Sequence, residues 1–184
     1  KLPVRPHIVG HSMGGKIVMA LLLKRPELIN KAVVVDIAPV SYSQRDGGSH
    51  NRIIDFMANF DLSRLHSREE VKEAIQQHFR TERSQQLFLK NIKKTSSGFE
   101  WKINHQVISK HFDEISGCPS LPNSTYNKEI LFIKGEQSNL ITGIECLQKE
   151  FPAARLIELP QCGHWIHSEQ PEKLAQAIRN FLLG

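Results

Sequence analysis

A serine flanked by two glycines is the residue of this chain best suited to act as a nucleophile. Residues 6–15 read Pro-His-Ile-Val-Gly-His-Ser-Met-Gly-Gly, an apolar run that stops at Gly10, and a helix-forming stretch follows at 16–24. The G-x-S-x-G spacing between a strand and a helix predicts a sharp turn that exposes the Ser12 hydroxyl above the sheet edge. Such a turn strains the serine backbone and is expected to leave no room for side chains at Gly10 and Gly14. The alternative interpretation is a glycine-rich loop with an incidental serine.

The helix that begins behind Ser12 adds a second chemical feature to this turn. Its free N–H groups and the positive end of its dipole point toward the serine, which suits a developing oxyanion. We therefore expect the Met13 backbone N–H to be an oxyanion-hole donor. His11 is expected to shape the pocket rather than to carry protons.

His164 is the histidine that best fits the role of general base. It lies in the run Cys-Gly-His-Trp-Ile-His, after a short apolar run at 156–159 and before the final helix. Acyl-transfer hydrolases built on a parallel sheet place their catalytic residues in the order serine, acid, histidine, and Ser12 and His164 obey that order. Trp165 is expected to support the pocket.

Three motifs together resemble one branch of the α/β-hydrolase superfamily. They are the serine turn at 10–16, the Val-Asp-Ile-Ala-Pro-Val block at 35–40 and the Gly-His-Trp-Ile-His run at 163–167. The likeness covers essentially the whole chain and is to the α/β-hydrolase-domain protein 11 family and its bacterial esterase relatives. It implies an esterase or lipase-like serine hydrolase that needs no cofactor. It also implies a mitochondrial location by analogy with animal members, with the cytoplasm as the alternative.

The acid of the triad is harder to assign, because the chain departs from the superfamily's commonest pattern. The usual aspartate follows the strand after the insertion, where this chain reads Gly-Glu-Gln-Ser and has Ser138 instead. A hydroxyl cannot balance an imidazolium, so another carboxylate must. Asp36 ends the strand beside the nucleophile strand and can approach His164 from the same edge, as the resemblance to the bacterial relatives also implies. Glu136 and Asp113 remain alternatives, and an aspartate at a strand end can also merely cap a turn.

Ser138 still has an expected role. Since it takes the place of the usual acid, we expect it to supply a hydrogen bond near His164 rather than the charge.

The order of predicted elements indicates how the chain is organised. Residues 1–44 and 116–184 alternate strand and helix patterns and predict the second half of an α/β-hydrolase core, a mostly parallel sheet with flanking helices. Residues 45–115 show helical periodicity without a strand signal and predict an inserted helical cap. The core elements are expected as strands at 6–10, 32–35, 129–134 and 155–159 and as helices at 16–24, 142–150 and from Pro171 onward.

The chain opens inside the nucleophile strand, and the strands that precede it in the superfamily are not found. The loop that would donate a second oxyanion N–H is not found either. An unpaired strand at 6–10 would then form a sheet edge. Residues 1–184 alone are therefore expected to be poorly soluble or oligomeric, and inactive.

Composition narrows the classes of function. The chain has 24 lysines and arginines against 19 aspartates and glutamates. This positive charge is scattered, which argues against a nucleic-acid partner. Cys118, Cys146 and Cys162 are odd in number, far apart and without metal spacing, which predicts free thiols in a reducing compartment and no metal site. No apolar stretch reaches membrane-spanning length.

A cap of apolar-faced helices over the triad would make a pocket for an acyl chain. The candidate lining residues are aromatic or large and apolar: Phe56, Met57, Phe60, Phe88, Trp101 and Trp165. Ordinary helix packing is the alternative for each. Together they predict a hydrophobic carboxylic ester, thioester or acylglycerol, cleaved through an acyl-enzyme on Ser12. A non-catalytic binding or scaffolding member of the fold and an acyltransferase are the alternative functions, and the sequence indicates no particular protein partner.

Overall fold

The computed structural model of the protein describes a chain that divides into two units. The described residues are 4–42, 49–96, 98–117 and 124–184. Unit 1 comprises Lys1–Tyr42 and Ser116–Gly184, and unit 2 comprises Ser43–Ile115. One boundary coincides with the expected one, and the other lies two residues before it. The assignment of unit 2 as a cap stays a prediction.

Strands and helices alternate in the described part of unit 1, and helices prevail in unit 2. The strands are β1 (Ile8–His11), β2 (Ala32–Val35), β3 (Ile92–Thr95), β4 (Gly98–Trp101), β5 (Ile130–Gly135) and β6 (Ala154–Leu159). The helices are α1 (Met13–Lys24), α2 (Ser49–Asn59), α3 (Arg68–His78), α4 (Glu82–Lys90), α5 (His105–Lys110), α6 (Phe112–Ser116), α7 (Glu145–Gln148), α8 (Ile166–Glu169) and α9 (Pro171–Leu183).

The strands of unit 1 form a parallel sheet in the order β1-β2-β5-β6. Because all four strands run the same way, their carboxyl ends meet at one edge. The loops at that edge carry Ser12 after β1, Asp36 after β2 and His164 after β6. The expected α/β class with a mostly parallel sheet and flanking helices is confirmed.

The composition of β2 explains its central place in the sheet. It reads Ala-Val-Val-Val, and all four residues are buried, as a strand covered on both faces requires. Alternate side chains point to opposite faces. Val34 shares a core with Met19 and Leu22 of α1, whereas Val33 shares a second core with Phe181 of α9. The sheet is therefore packed between α1 and α9.

The helix expected at 142–150 is shorter than its sequence pattern predicts. The structure confines α7 to Glu145–Gln148. Gly143 is a poor helix former, and Pro152 disfavours helical geometry at the preceding Phe151. These residues limit the helix at both ends.

The expectation of a purely helical insertion is wrong, because β3 and β4 form an antiparallel hairpin in unit 2. Ile92, expected on a helix, begins β3 and pairs with Trp101. Gly98 has a φ of 138°, and a Cβ there would lie 2.9 Å from the main-chain oxygen of Ser63, so glycine is required. Each strand has only four residues, too few for an alternating pattern to stand out from helical periodicity.

Five of the six residues expected to line a pocket pack on one another in unit 2. The Phe56 ring centroid lies 4.5 Å from that of Phe60 and 5.0 Å from that of Phe88. The Trp101 ring lies 5.9 Å from Phe88, and Met57 is buried in the same cluster. Ordinary core packing, the alternative interpretation, therefore describes these five residues.

Candidate active site

Ser12 is the single residue between β1 and α1, and its backbone is strained. It has φ 55° and ψ −123°, a conformation that side-chain-bearing residues rarely adopt and that costs on the order of 1–3 kcal/mol. Its N–H donates to the Val35 carbonyl at 2.9 Å, which ties the turn to the end of β2. The strained turn between strand and helix is the local geometry that the sequence motif predicts.

The glycines around this turn differ in how tightly they are packed. A Cβ at Gly10 would collide with the main chain of Gly14, and a Cβ at Gly15 would lie 2.9 Å from a methyl of Val34. A Cβ at Gly14, in contrast, would meet none of the described atoms within 4 Å. The expectation that Gly14 must lack a side chain is therefore wrong. Gly15, rather than Gly14, lies on the face of α1 that packs against the sheet.

Asp36 follows β2 directly and is fully buried. Its φ of 54° is a second strained backbone angle at the same sheet edge. One carboxylate oxygen, Oδ1, accepts the Gly135 N–H at 3.0 Å. The other, Oδ2, accepts the Ser138 hydroxyl at 2.5 Å. A buried carboxylate without hydrogen-bond donors would be costly, and these two donors satisfy it. Ser138 thus makes the expected hydrogen bond near His164, on the same Asp36 oxygen that lies beside the imidazole.

His164 connects the serine to this carboxylate. Its Nδ1 lies 2.9 Å from Asp36 Oδ2 and its Nε2 lies 3.0 Å from Ser12 Oγ. Because an ionised carboxylate can only accept, Nδ1 carries the proton and Nε2 is left as an acceptor for the serine hydroxyl. The imidazole is only 14% exposed, so water is largely kept from it.

The loop that carries His164 is held by contacts that the sequence analysis did not predict. Gln161 has a φ of 60°, and its N–H donates to the Glu136 carboxylate at 2.7 Å. The Gly163 N–H donates to the Glu169 carboxylate at 2.6 Å. A Cβ at Gly135 would collide with the Gly163 carbonyl, so this close approach requires glycine. Gly135 and Glu136 lie in the Gly-Glu-Gln-Ser run at the end of β5, and Gly163 lies in the run at 163–167, whereas Glu169 carried no sequence signal.

The structure also describes the two alternative acids. The Glu136 carboxylate accepts the Gln161 N–H and so restrains the main chain of the His164 loop. Asp113 is an exposed residue of α6. Of the three candidate acids, the structure brings Asp36 to His164 Nδ1.

His11 and Trp165 pack beside the base. The His11 Nε2 lies 2.8 Å from the main-chain oxygen of His164, and the two imidazole centroids lie 4.7 Å apart. Burial lowers the pKa of His11 below its usual value, against a hydrogen bond that raises it. The Trp165 ring lies 5.4 Å from that of His164 and is partly exposed.

Met13 opens α1 and so presents its N–H beside the serine. The Ser12 carbonyl accepts the N–H groups of Gly15 and Lys16, which marks the start of the helix. The N–H of the first helical residue has no acceptor within its own helix. The Met13 N–H is therefore placed to face an anion near the serine hydroxyl.

The described residues contain no group of three or more His, Cys, Asp or Glu side chains arranged to hold a metal ion. Cys146 and Cys162 are free thiols, and burial raises the pKa of Cys162. Cys118 lies outside the described residues.

Across the described part of the chain, every helix is too short or too polar to cross a membrane.

Comparison with known proteins gives the family. The model of the alpha/beta hydrolase fold family matches residues 3–171. The sn-1-specific diacylglycerol lipase ABHD11 of Danio rerio is 30% identical over 181 residues, which cover 95% of this chain and 56% of that protein. Esterase YbfF of Escherichia coli strain K12 is 33% identical over 176 residues, which cover 95% of this chain and 66% of that protein.

A solved structure agrees with these relatives. A marine microorganism esterase superposes with a TM-score of 0.87 at 31% identity, covering 95% of this chain and 69% of that one. The chain thus spans between about half and two thirds of the length of the curated relatives named above. It belongs to the α/β-hydrolase fold family, in the branch represented by ABHD11 and the bacterial esterases.

Proposed function

We propose that the protein is a serine hydrolase that cleaves carboxylic esters or thioesters through an acyl-enzyme on Ser12. The observation that carries the proposal is the continuous line of hydrogen bonds from the Ser12 hydroxyl through the His164 ring to the Asp36 carboxylate. A general base must lie within hydrogen-bond reach of the proton it removes, and the 3.0 Å between Nε2 and Oγ meets that need.

Acylation begins when Ser12 Oγ attacks the carbonyl carbon of the substrate. The hydroxyl proton passes to His164 Nε2, and the carbonyl oxygen becomes an oxyanion that the Met13 N–H stabilises. When the tetrahedral intermediate collapses, the bond between the carbonyl carbon and the leaving group breaks. The proton on Nε2 then passes to the leaving alkoxide or thiolate, and the acyl group stays on Oγ.

Deacylation repeats these steps with water. His164 Nε2 takes a proton from a water molecule as the water oxygen attacks the acyl carbon. The second intermediate collapses by breaking the bond to Ser12 Oγ, and the proton returns to that oxygen. A carboxylic acid is released and the enzyme is restored.

Asp36 stays ionised throughout this cycle. Its charge stabilises the imidazolium that forms twice per turnover, and its bond to Nδ1 keeps the productive tautomer. The Gly135 N–H and the Ser138 hydroxyl hold the carboxylate in place. Ser138 therefore supports the acid from the position where the superfamily usually has one.

The substrate that fits best is a hydrophobic ester, with acylglycerols as the leading class. Two relatives are named as a diacylglycerol lipase and an esterase, which supports this choice. The exposed apolar side chains of Met13, Ile17 and Trp165 support it as well, because Met13 directly follows the nucleophile and Trp165 packs beside the base. By the same likeness to animal relatives, we propose a mitochondrial location.

Labelling by a fluorophosphonate probe tests the proposal in the full-length protein. The probe reacts with a serine only when a neighbouring base activates it. We expect one adduct, located by mass spectrometry on the peptide that contains Ser12, and none in Ser12→Ala. A protein that binds esters without labelling would be the non-catalytic member of the fold. Labelling followed by acyl transfer to an added alcohol in preference to water would indicate an acyltransferase.

A further inference from the structure

His11 joins the two loops of the candidate site, and the mechanism above gives it no task. It is the last residue of β1 and directly precedes the nucleophile. Its side chain nevertheless reaches 153 positions along the chain, to the main-chain oxygen of His164, at 2.8 Å. The serine turn and the loop of His164 are thereby linked by a hydrogen bond in addition to the one between Ser12 and the His164 ring.

The chemistry of this bond fixes the protonation of the ring. A carbonyl oxygen can only accept, so the His11 Nε2 must carry a proton and donate it. His164 is then held at two points. Asp36 holds its side chain at Nδ1, and His11 holds its main chain at the carbonyl.

This second point of attachment bears on the distance between base and nucleophile. The imidazole of His164 reaches Ser12 from a loop whose main chain is strained at Gln161. A shift of that loop by about 1 Å would lengthen the bond between Nε2 and Oγ beyond the range for proton transfer, and such a shift can cost on the order of 10²-fold in rate.

The surroundings of His11 favour a neutral ring. The charged or titratable groups that face it are His164, His167 and Asp36, and the His167 ring lies 4.9 Å away. Burial, together with the two neighbouring imidazoles, lowers the pKa of His11. A neutral His11 can donate its hydrogen bond without opposing the imidazolium that forms on His164 during turnover.

We propose that His11 is a positioning residue that holds the His164 loop through its Nε2–H and so sets the general base against Ser12. This assignment rests on the proposed function. Loss of the donor is expected to slow the chemical step while leaving substrate binding intact, because His11 acts on the base and not on the ester.

Three substitutions at His11 in the full-length protein test the assignment. His11→Phe keeps a ring without the donor, His11→Ala removes the donor without adding volume, and His11→Gln restores an N–H donor. The matched control is His167→Phe, which keeps a ring against His11 and leaves the hydrogen bond in place. Each variant is assayed with a short-chain p-nitrophenyl ester, and its folding is checked by thermal melting.

We expect kcat to fall on the order of 10- to 100-fold in His11→Phe and His11→Ala, with KM little changed. His11→Gln should recover most of the loss, and the control should resemble the wild type. The assignment is overturned if His11→Ala turns over like the wild type, or if His11→Gln is as slow as His11→Ala. A wild type that does not react with fluorophosphonate at Ser12 would instead contradict the proposed function itself, so the two failures are distinguishable.

Discussion

The acid and the hydroxyl beside it show how the chemistry of the site depends on single side chains. Asp36 directly follows β2 and Ser138 lies in the turn after β5, and the parallel register brings these two loops to the same edge of the sheet. Asp36 Oδ2 is shared by the Ser138 hydroxyl and the His164 Nδ1. The residue that follows β2 can therefore supply the carboxylate, while the loop after β6 supplies the imidazole.

Replacing the carboxylate tests this assignment. We expect Asp36→Asn to lower kcat on the order of 10⁴-fold, because an amide carries no charge and can hold the wrong imidazole tautomer. Glu136→Gln and Asp113→Asn are the matched controls and should cost far less. Steady-state hydrolysis of a soluble ester measures all three. If Glu136→Gln were the crippling change, the acid would lie in the turn after β5.

Ser138 can be tested through stability. Ser138→Ala leaves Asp36 Oδ2 without one of its donors in a buried setting, and we expect it to lower the free energy of unfolding by about 1–3 kcal/mol. Ser168→Ala removes an exposed serine of α8 and should change it by about 0.5 kcal/mol or less. Urea unfolding of both variants gives the comparison. Equal free energies of unfolding in the two variants would mean that the hydrogen bond from Ser138 to the carboxylate makes no net contribution to stability.

At the scale of elements, the close packing of α1 against the sheet fixes the position of Ser12 at the start of that helix. Gly15 has no side chain at the point where α1 lies on β2, and a Cβ there would press on Val34. Gly14, one residue earlier, faces space that the described residues leave open. The two glycines make a natural pair for comparison, because they are neighbours in the same helix.

We expect Gly15→Ala to destabilise the fold by about 1–3 kcal/mol, because the added methyl forces α1 away from β2. Gly14→Ala should be neutral or stabilising by up to about 1 kcal/mol, because alanine favours a helix where no contact opposes it. Thermal unfolding of the two variants measures the difference. A Gly14→Ala variant as unstable as Gly15→Ala would contradict the packing described here.

Some elements could be predicted from the sequence, for physical reasons. β2 reads Ala-Val-Val-Val and β5 begins with the apolar run Ile-Leu-Phe-Ile, and Pro171 marks the start of α9. Ser12 and His164 follow each other in the chain in the expected order, and each lies in a recognisable motif, so His164 could be predicted as the general base. Three features were not predictable from the sequence. They are the hairpin of β3 and β4, the hydrogen bond from the Gly163 N–H to Glu169, and the contact of His11 with His164. These depend on tertiary contacts between residues whose local sequence has no distinctive pattern.

At the scale of the whole molecule, the described sheet has β1 at one edge. Val9 in this strand is 46% exposed, and Ile17 on the adjacent helix is 61% exposed. An edge strand with an apolar side chain in water is a site for pairing with another chain. The relatives named above are longer than this chain.

We expect the chain of residues 1–184 to elute from size-exclusion chromatography as oligomers, because β1 lies at the edge of the described sheet with Val9 exposed. Val9→Lys places a charge at the exposed position of β1, and it should shift the elution toward the monomer. A wild-type chain that elutes as a monomer would contradict the expectation.

The most direct test of the account is a double-mutant comparison of Ser12 and His164 in the full-length protein. Residues that act as one catalytic unit lose activity together, so removing the second costs little once the first is gone. Rates of ester hydrolysis are measured for Ser12→Ala, His164→Ala and the double variant, with folding checked by thermal melting. We expect all three to fall to a similar residual rate. A double variant whose loss is the product of the two single losses would mean that the serine and the histidine do not work as a unit.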